Sequence, residues 1–302
     1  MSFGDGSRPT DQWALDHDAS EPIFRQAVDL GINFWDTANI YGLGSSEEVV
    51  GRAIKEYTRR DDVVLATKVF FEMSDGPGGS GLSRKAILEQ IDASLTRLGT
   101  DYVDLYQIHR FDPETPVEET MEALHDVVKA GKVRYIGGSS MWAWRFAKMQ
   151  YAAEANGWTK FVSMQDQYSV IHREEELEMF GLLADQGVGS MPWSPLAKGR
   201  LARPWGEQTK RSENDPMGQR YVGDENPPIV AAVEQVASAR GIPMAQVALA
   251  WVLHNPVVAS PIVGPTKEHH LPDAVAALDV HLTEEEVATL QSPYTPRQPS
   301  GY

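Results

Sequence analysis

The chain has 302 residues, 42% of them hydrophobic and 23% charged, a composition that excludes disordered and fibrous classes and suffices for a large buried core. Its 27 basic and 43 acidic side chains leave a formal charge of −16, which opposes general attraction to nucleic acid or an anionic membrane and points to a small-molecule partner. Without cysteine the chain has no disulfide, no thiolate nucleophile and no Cys-ligated metal, and a reducing compartment is allowed.

The opening residues, MSFGDGSRPTDQW, lack the basic and apolar regions of a signal peptide, and the longest apolar run, from Met244 to Leu253, is too short to span a bilayer. A cytoplasmic location is the expectation. In chain order, apolar and β-branched runs predict strands over residues 32–38, 63–70, 102–109, 133–140, 161–168, 187–195 and 258–264. Amphipathic stretches between them predict helices over 46–60, 83–98, 116–130, 173–186 and 243–255, several opened by Ser or Pro and closed by Gly. Regular alternation of this kind reads as βα units around a parallel sheet, and the seven strands are spaced as in a (β/α)8 barrel, here a single domain over residues 1–302. Residues 202–228 form the only long irregular segment, of the kind that is usually functional on a barrel. The Gly- and Ser-rich residues 73–81 read as a flexible loop without the strand–glycine–helix spacing of a phosphate cradle.

Barrel active sites lie at the carboxyl ends of the strands. Asp36, Lys68 and His109 each close an apolar strand there, and Tyr41 follows Asp36 in the adjoining loop. Alternation puts Phe34 with Asp36, Ala66 with Lys68 and Gln107 with His109 on one face of their strands. Singly, each has an ordinary explanation: a strand-end Asp caps a turn, a core His is satisfied internally, a Lys snorkels to solvent. Together they form a set in which Lys68 needs a counter-ion, supplied by Asp36. The Lys68 ammonium is then expected to draw the Tyr41 phenol from near 10 toward neutrality and make it a proton donor.

The segment Gly31-Ile-Asn-Phe-Trp-Asp-Thr-Ala-Asn-Ile-Tyr-Gly, followed by Ser46-Glu-Glu-Val-Val-Gly, resembles the first signature of the aldo-keto reductases, and the likeness extends to about residue 294. The subgroup it resembles holds the aryl-alcohol dehydrogenases and the β subunits of potassium channels. That resemblance implies a catalytic tetrad of Asp36, Tyr41, Lys68 and His109 and reduction of aldehydes or ketones with NADPH as cofactor. In the mechanism that the resemblance implies, hydride passes to the carbonyl carbon while Tyr41 protonates the oxygen, His109 orients the carbonyl, and Lys68 and Asp36 set the acidity of Tyr41.

No GxGxxG follows an early strand, so a doubly wound dinucleotide site is absent. The resemblance implies instead that Ser139, Ser140 and Gln165 hydrogen-bond the nicotinamide carboxamide, although many members carry Asn at the position of Ser140. It implies that Trp193 stacks on the ring and that Ser194, Pro195, Leu196, Ala197, Lys198 and Gly199 form the loop over the pyrophosphate. Gly264, Thr266, Lys267 and His270 fall where the adenosine phosphate end binds, with Arg211 a second candidate for the 2′-phosphate. Asp273 and Ala274 stand where members often carry Glu and Asn near the adenine.

Phe70, Trp142 and Tyr294, with Phe71, Trp144 and Trp205, are aromatic candidates for an apolar substrate mouth. Met1-Ser-Phe-Gly looks like the tail of a first barrel strand, so the N-terminal hairpin and most of strand 1 are expected to be missing, through a start-site error or a true truncation. A glycosidase would need a second strand-end carboxylate. A metal hydrolase would need clustered ligands, whereas His269 and His270 are expected to point apart with no third partner. The main alternative is a non-catalytic NADP(H)-binding regulator of the channel-subunit type, or a truncated inactive reductase; a histidine at 109, where those subunits lack one, argues for catalysis. Neither the physiological substrate nor the oligomeric state is legible.

Overall fold

The computed structural model describes residues 2–6, 14–207, 223 and 226–297. Six strands are ordered as they occur in the chain: β1 (Phe34–Asp36), β2 (Val64–Val69), β3 (Val103–Ile108), β4 (Val133–Ser139), β5 (Phe161–Gln165) and β6 (Gly189–Ser190). The pairs β1–β2, β2–β3 and β3–β4 are parallel, with Asp36 opposite Ala66, Lys68 opposite Gln107, and Gln107 opposite Gly137. Parallel pairing in strict chain order, with helices between strands, is the build of a (β/α)8 barrel.

The chain divides into two compact units, Met1–Met164 with Gly264–Glu268, and Gln165–Val263 with His269–Gly301. The first unit carries α1 (His17–Asp29), α2 (Ser45–Tyr57), α3 (Arg84–Leu98), α4 (Val117–Lys129) and α5 (Ala143–Asn156). Its helix ends follow local chemistry: the Ser83 hydroxyl accepts from Ala86 N at the start of α3, and Gly99, at φ 64°, caps its end in the left-handed conformation. Ile87 and Ile91 of α3 and Met121, Leu124 and Val127 of α4 supply buried apolar side chains. All of β2 from Leu65 to Val69 is buried, which explains why its sequence runs apolar rather than alternating.

The second unit contains β6, α6 (Met179–Gln186), α7 (Asn226–Arg240), α8 (Met244–Leu253), α9 (His270–Ala276) and α10 (Glu284–Gln291). Thr283 and Glu286 form a capping box at the start of α10. The helix expected over 173–186 is in fact a 3-10 turn, Glu174–Glu176, followed by α6. None of the described helices is by itself long and apolar enough to cross a membrane.

Two predicted strands are corrected by the structure. The strand expected over 187–195 shrinks to Gly189–Ser190, and that expected over 258–264 is reduced to a single bridge from Val258 to Ser190. Pro192, Pro195, Pro261 and Pro265 cannot donate to a ladder; only isolated bonds such as Ala259 N to Ser190 O (2.8 Å) and Ile262 N to Pro192 O (2.8 Å) remain. Near the start of the chain, Phe3 makes a parallel bridge with Leu15 rather than joining β1.

Burial in the second unit predicts a pH dependence. His172 is buried beside Glu174, its Nδ1 3.1 Å from the carboxylate, and desolvation holds its pKa at about 4. The unfolded chain takes up this proton near pH 6.5, so this contribution is complete above about pH 7 and is lost as pH falls toward 4, by at most about 3 kcal/mol. Glu174, whose carboxyl burial pushes upward, works in the opposite sense. Denaturant midpoints at pH 7 and pH 4.5 are expected to separate less in His172→Leu than in the parent; equal separations would refute the assignment.

Candidate active site

Asp36, Lys68 and His109 reach the ends of their strands because the β ladder continues past the last regular residues. Thr37 N bonds Ala66 O (2.9 Å), Asn39 N bonds Lys68 O (3.2 Å) and His109 N bonds Val69 O (2.9 Å). Tyr41 opens the short 3-10 turn Tyr41–Gly44, in which Gly42 and Gly44 have φ of 57° and 100°. Side chains are resisted at both positions: a Cβ on Gly42 would lie 2.1 Å from Ser45 Oγ, and one on Gly44 would lie 2.5 Å from Arg97 Cδ.

Lys68 is fully buried, and its three N–H donors meet three acceptors. They are Asp36 Oδ2 at 2.5 Å, the Thr37 carbonyl at 2.8 Å and Tyr41 Oη at 3.4 Å. The Thr37 hydroxyl donates to Ser46 Oγ (3.0 Å), anchoring that carbonyl to α2, and Gln107 Nε2 donates to Asp36 Oδ1 (3.0 Å). Ring centroids of Tyr41 and His109 are 5.6 Å apart, edge to face, and Phe71 packs edge to face against the same imidazole at 4.9 Å. The structure therefore gathers the sequence-predicted tetrad into one cluster.

Burial and neighbouring charges together set the protonation states within the cluster. Desolvation pulls the His109 pKa well below its ordinary value, with the Lys68 ammonium acting in the same direction, so the imidazole is neutral at neutral pH. Its Nδ1 is buried without a hydrogen-bond partner among the described residues. Lys68 is raised: desolvation disfavours the ammonium, but Asp36 and Tyr41 together outweigh it.

Tyr41 corrects the sequence-based expectation. Desolvation outweighs the attraction of Lys68, and its pKa lies above 10 instead of moving toward neutrality. The group is a phenol throughout the neutral range. A phenol in that state can give its proton only to a strong base, and the Lys68 ammonium 3.4 Å away can offset the charge a phenolate would carry.

Other predicted residues are placed unit by unit. In the first, Ser139 and Ser140 are buried with their hydroxyls 3.2 Å apart, and Ser140 has φ 48°. Gly264 and Lys267 are exposed, Thr266 is half-buried, and α9 opens at His270, beyond Lys267. Phe70 is half-buried against Phe71, and Trp142 is the residue preceding α5.

In the second unit Gln165 ends β5 and is buried, while Trp193 is half-buried and its backbone N–H donates to the Asp166 carbonyl (2.7 Å). Pro195 is buried and Leu196 half-buried. Ser194, Ala197, Lys198 and Gly199 all have positive φ, 55°, 46°, 57° and 87°. Left-handed backbone is costly for residues other than glycine and concentrates at functional loops. Asp273 is bonded by Gln246 Nε2 (3.2 Å), and the Tyr294 hydroxyl donates to Glu174 Oε1 (3.2 Å) while its ring lies under Arg173. The His269 and His270 rings do not point apart, as expected from sequence, but meet edge to face at 4.6 Å. Arg211 lies outside the described residues.

Sequence reasoning missed two supports of the cluster: Gln107 as a donor to Asp36, and the buried ion pair of Glu47 with Arg97, in which Glu47 also accepts from Thr67 beside Lys68 (2.5 Å). A fully buried amide and hydroxyl inside apolar strands were the available signals.

The aldo/keto reductase family model matches residues 1–294. An aldo-keto reductase of Fusarium vanettenii is 45% identical over 96% of this chain and 85% of its own length. A versiconal hemiacetal acetate reductase of Aspergillus parasiticus is 44% identical over 98% of this chain and 92% of its own. A Schizosaccharomyces pombe protein provisionally named an aryl-alcohol dehydrogenase is 41% identical over 98% of both chains. With a polar tetrad at the ends of parallel strands and these relatives, the chain belongs to the aldo/keto reductase family, a family of oxidoreductases that use nicotinamide cofactors and act on small molecules.

Proposed function

We propose that the protein, as a single reductase domain, reduces aldehydes or ketones to alcohols with NADPH and uses Tyr41 as general acid. The observation that carries this reading is the placement of Tyr41 Oη 3.4 Å from a fully buried Lys68 ammonium paired with Asp36, with the neutral His109 ring beside it. NADPH, when bound, supplies the hydride. His109 donates a hydrogen bond to the carbonyl oxygen and orients it; Tyr41 gives that oxygen its proton; Lys68 stabilises the phenolate left behind. Phe70 and Trp142 in the first unit, and Tyr294 in the second, are the proposed aromatic contacts to substrate. A reducing cytoplasm is the proposed setting, which a chain without cysteine suits.

The donor set present fits the cofactor. Paired hydroxyls at Ser139 and Ser140 offer donors and acceptors to a carboxamide, and Gly264, Thr266 and Lys267 offer the first unit's groups for the phosphate end. In the second unit, Gln165, Trp193, the loop Ser194, Pro195, Leu196, Ala197, Lys198, Gly199, and His270 and Asp273 are the proposed contacts, the loop supported by its run of positive φ. NADPH is proposed over NADH because the exposed Lys267 offers an ammonium to a 2′-phosphate.

Oxidation of NADPH by the purified protein with 4-nitrobenzaldehyde, followed at the nicotinamide absorbance, tests the reading; binding of NADPH without turnover on a panel of aryl and alkyl carbonyls would refute it. Lys267→Ala is expected to weaken NADPH binding about tenfold, the worth of one charge-assisted hydrogen bond, and to leave NADH binding unchanged. Equal weakening of both cofactors would remove Lys267 from the phosphate.

A further inference from the structure

The geometry points to Gln107 as a positioning residue: its amide holds the Asp36 carboxylate so that one oxygen is left for Lys68, and the third Lys68 donor is thereby reserved for Tyr41. This rests on the proposed role of Tyr41 as proton donor.

Gln107 is fully buried in β3, directly opposite Lys68 of β2 and Gly137 of β4. An amide there carries a desolvation cost that an aliphatic side chain would not, unless its hydrogen bonds are made. Its Nε2 donates to Asp36 Oδ1 at 3.0 Å while Lys68 Nζ bonds Oδ2 at 2.5 Å, so the two carboxylate oxygens are divided between two donors. Room for the side chain is left by Gly137, where a Cβ would come within 3.3 Å of Gln107 Cγ and 2.4 Å of Ser163 Oγ.

Competition for the ammonium explains the consequence. Lys68 has three donors, and these face Asp36 Oδ2, the Thr37 carbonyl and, at the longest distance of 3.4 Å, Tyr41 Oη. A carboxylate relieved of its amide donor competes through its second oxygen for the donor that faces the phenol. The charged and titratable groups facing Tyr41 are Asp36 at the end of β1, Lys68 of β2, and His109 and Arg110 at the end of β3. Gln107 is hydrogen-bonded to Asp36 and acts on Tyr41 through the Asp36–Lys68 pair.

The test compares parent, Gln107→Leu and Gln107→Glu by the pH dependence of kcat and KM for NADPH-dependent reduction of 4-nitrobenzaldehyde. In the cofactor-free protein, the same variants are followed by the NMR titration of tyrosine labelled with carbon-13 at Cζ, the Tyr41 signal being the one lost in Tyr41→Phe. Gln107→Leu is expected to fold with a melting temperature close to the parent's, to lower kcat about tenfold with KM for the aldehyde little changed, and to raise the Tyr41 midpoint by about one pH unit. In Gln107→Glu the protonated acid donates the same hydrogen bond, so activity approaches the parent's at low pH and falls as the second carboxyl ionises beside Asp36. An unmoved Tyr41 midpoint in Gln107→Leu overturns the inference, as does an equal loss of kcat at every pH in both variants. If Tyr41→Phe reduces the aldehyde as fast as the parent, the reading of Tyr41 falls and this inference with it. If Tyr41→Phe is inactive and Gln107→Leu behaves as the parent, only Gln107 is misassigned.

Discussion

Replacing Tyr41 by phenylalanine is expected to lower kcat for carbonyl reduction by about 10²- to 10⁴-fold, the range that a positioned general acid contributes, while KM and folding change little. The side chain is half-buried and its ring contact with His109 survives the change, so packing is preserved and only the hydroxyl is lost. In the parent that hydroxyl stays protonated across the neutral range, because burial outweighs the pull of Lys68. Reduction by the parent is therefore expected to be flat through neutrality and to decline only on the alkaline side, as the acid form of Tyr41 is consumed. A turnover in Tyr41→Phe within threefold of the parent's, measured with saturating NADPH across pH 6 to 9, would show that the proton comes from elsewhere.

Strand ends were the legible part of this site. Residues 32–36 and 63–68 each run apolar into a single charged side chain, and in a parallel barrel that pattern alone places the charge at the carboxyl rim. The later strands are shorter than their apolar, β-branched runs predict because a run such as residues 258–264 contains a proline, Pro261, whose missing N–H counts for more than its neighbours' propensity. The acidity of Tyr41 is hidden from the sequence for a different reason. A sequence shows that an ammonium is available, but the opposing desolvation depends on how closely the loop packs, which only the fold decides. Gln107 and Asp36 are 71 positions apart, so their hydrogen bond leaves no local trace beyond an amide in an apolar strand.

The second support of the cluster gives the largest expected effect on stability. Glu47 is fully buried near the start of α2, and its carboxylate is matched by Arg97 Nε at 2.6 Å and the Thr67 hydroxyl at 2.5 Å. Arg97 comes from α3, donates also to Ser94 Oγ (3.2 Å), and lays its stem across Gly44 in the turn that carries Tyr41. Removing the guanidinium in Arg97→Leu leaves a buried carboxylate with a hydroxyl as its remaining identified donor, a change expected to cost about 3–5 kcal/mol. Replacing both partners, Glu47→Met with Arg97→Leu, removes the stranded charge and is expected to recover most of that loss, since a buried pair and an apolar pair of similar volume are nearly equivalent. Urea midpoints of the two single variants and the double variant give the coupling directly. Losses that simply add, or a cost below about 1 kcal/mol for Arg97→Leu, would show that the pair behaves as a solvent-screened surface contact. Because Thr67 precedes Lys68 in β2 and Gly44 closes the Tyr41 turn, a strongly coupled pair would mean that the ion pair fixes both backbones from which Tyr41 and Lys68 project.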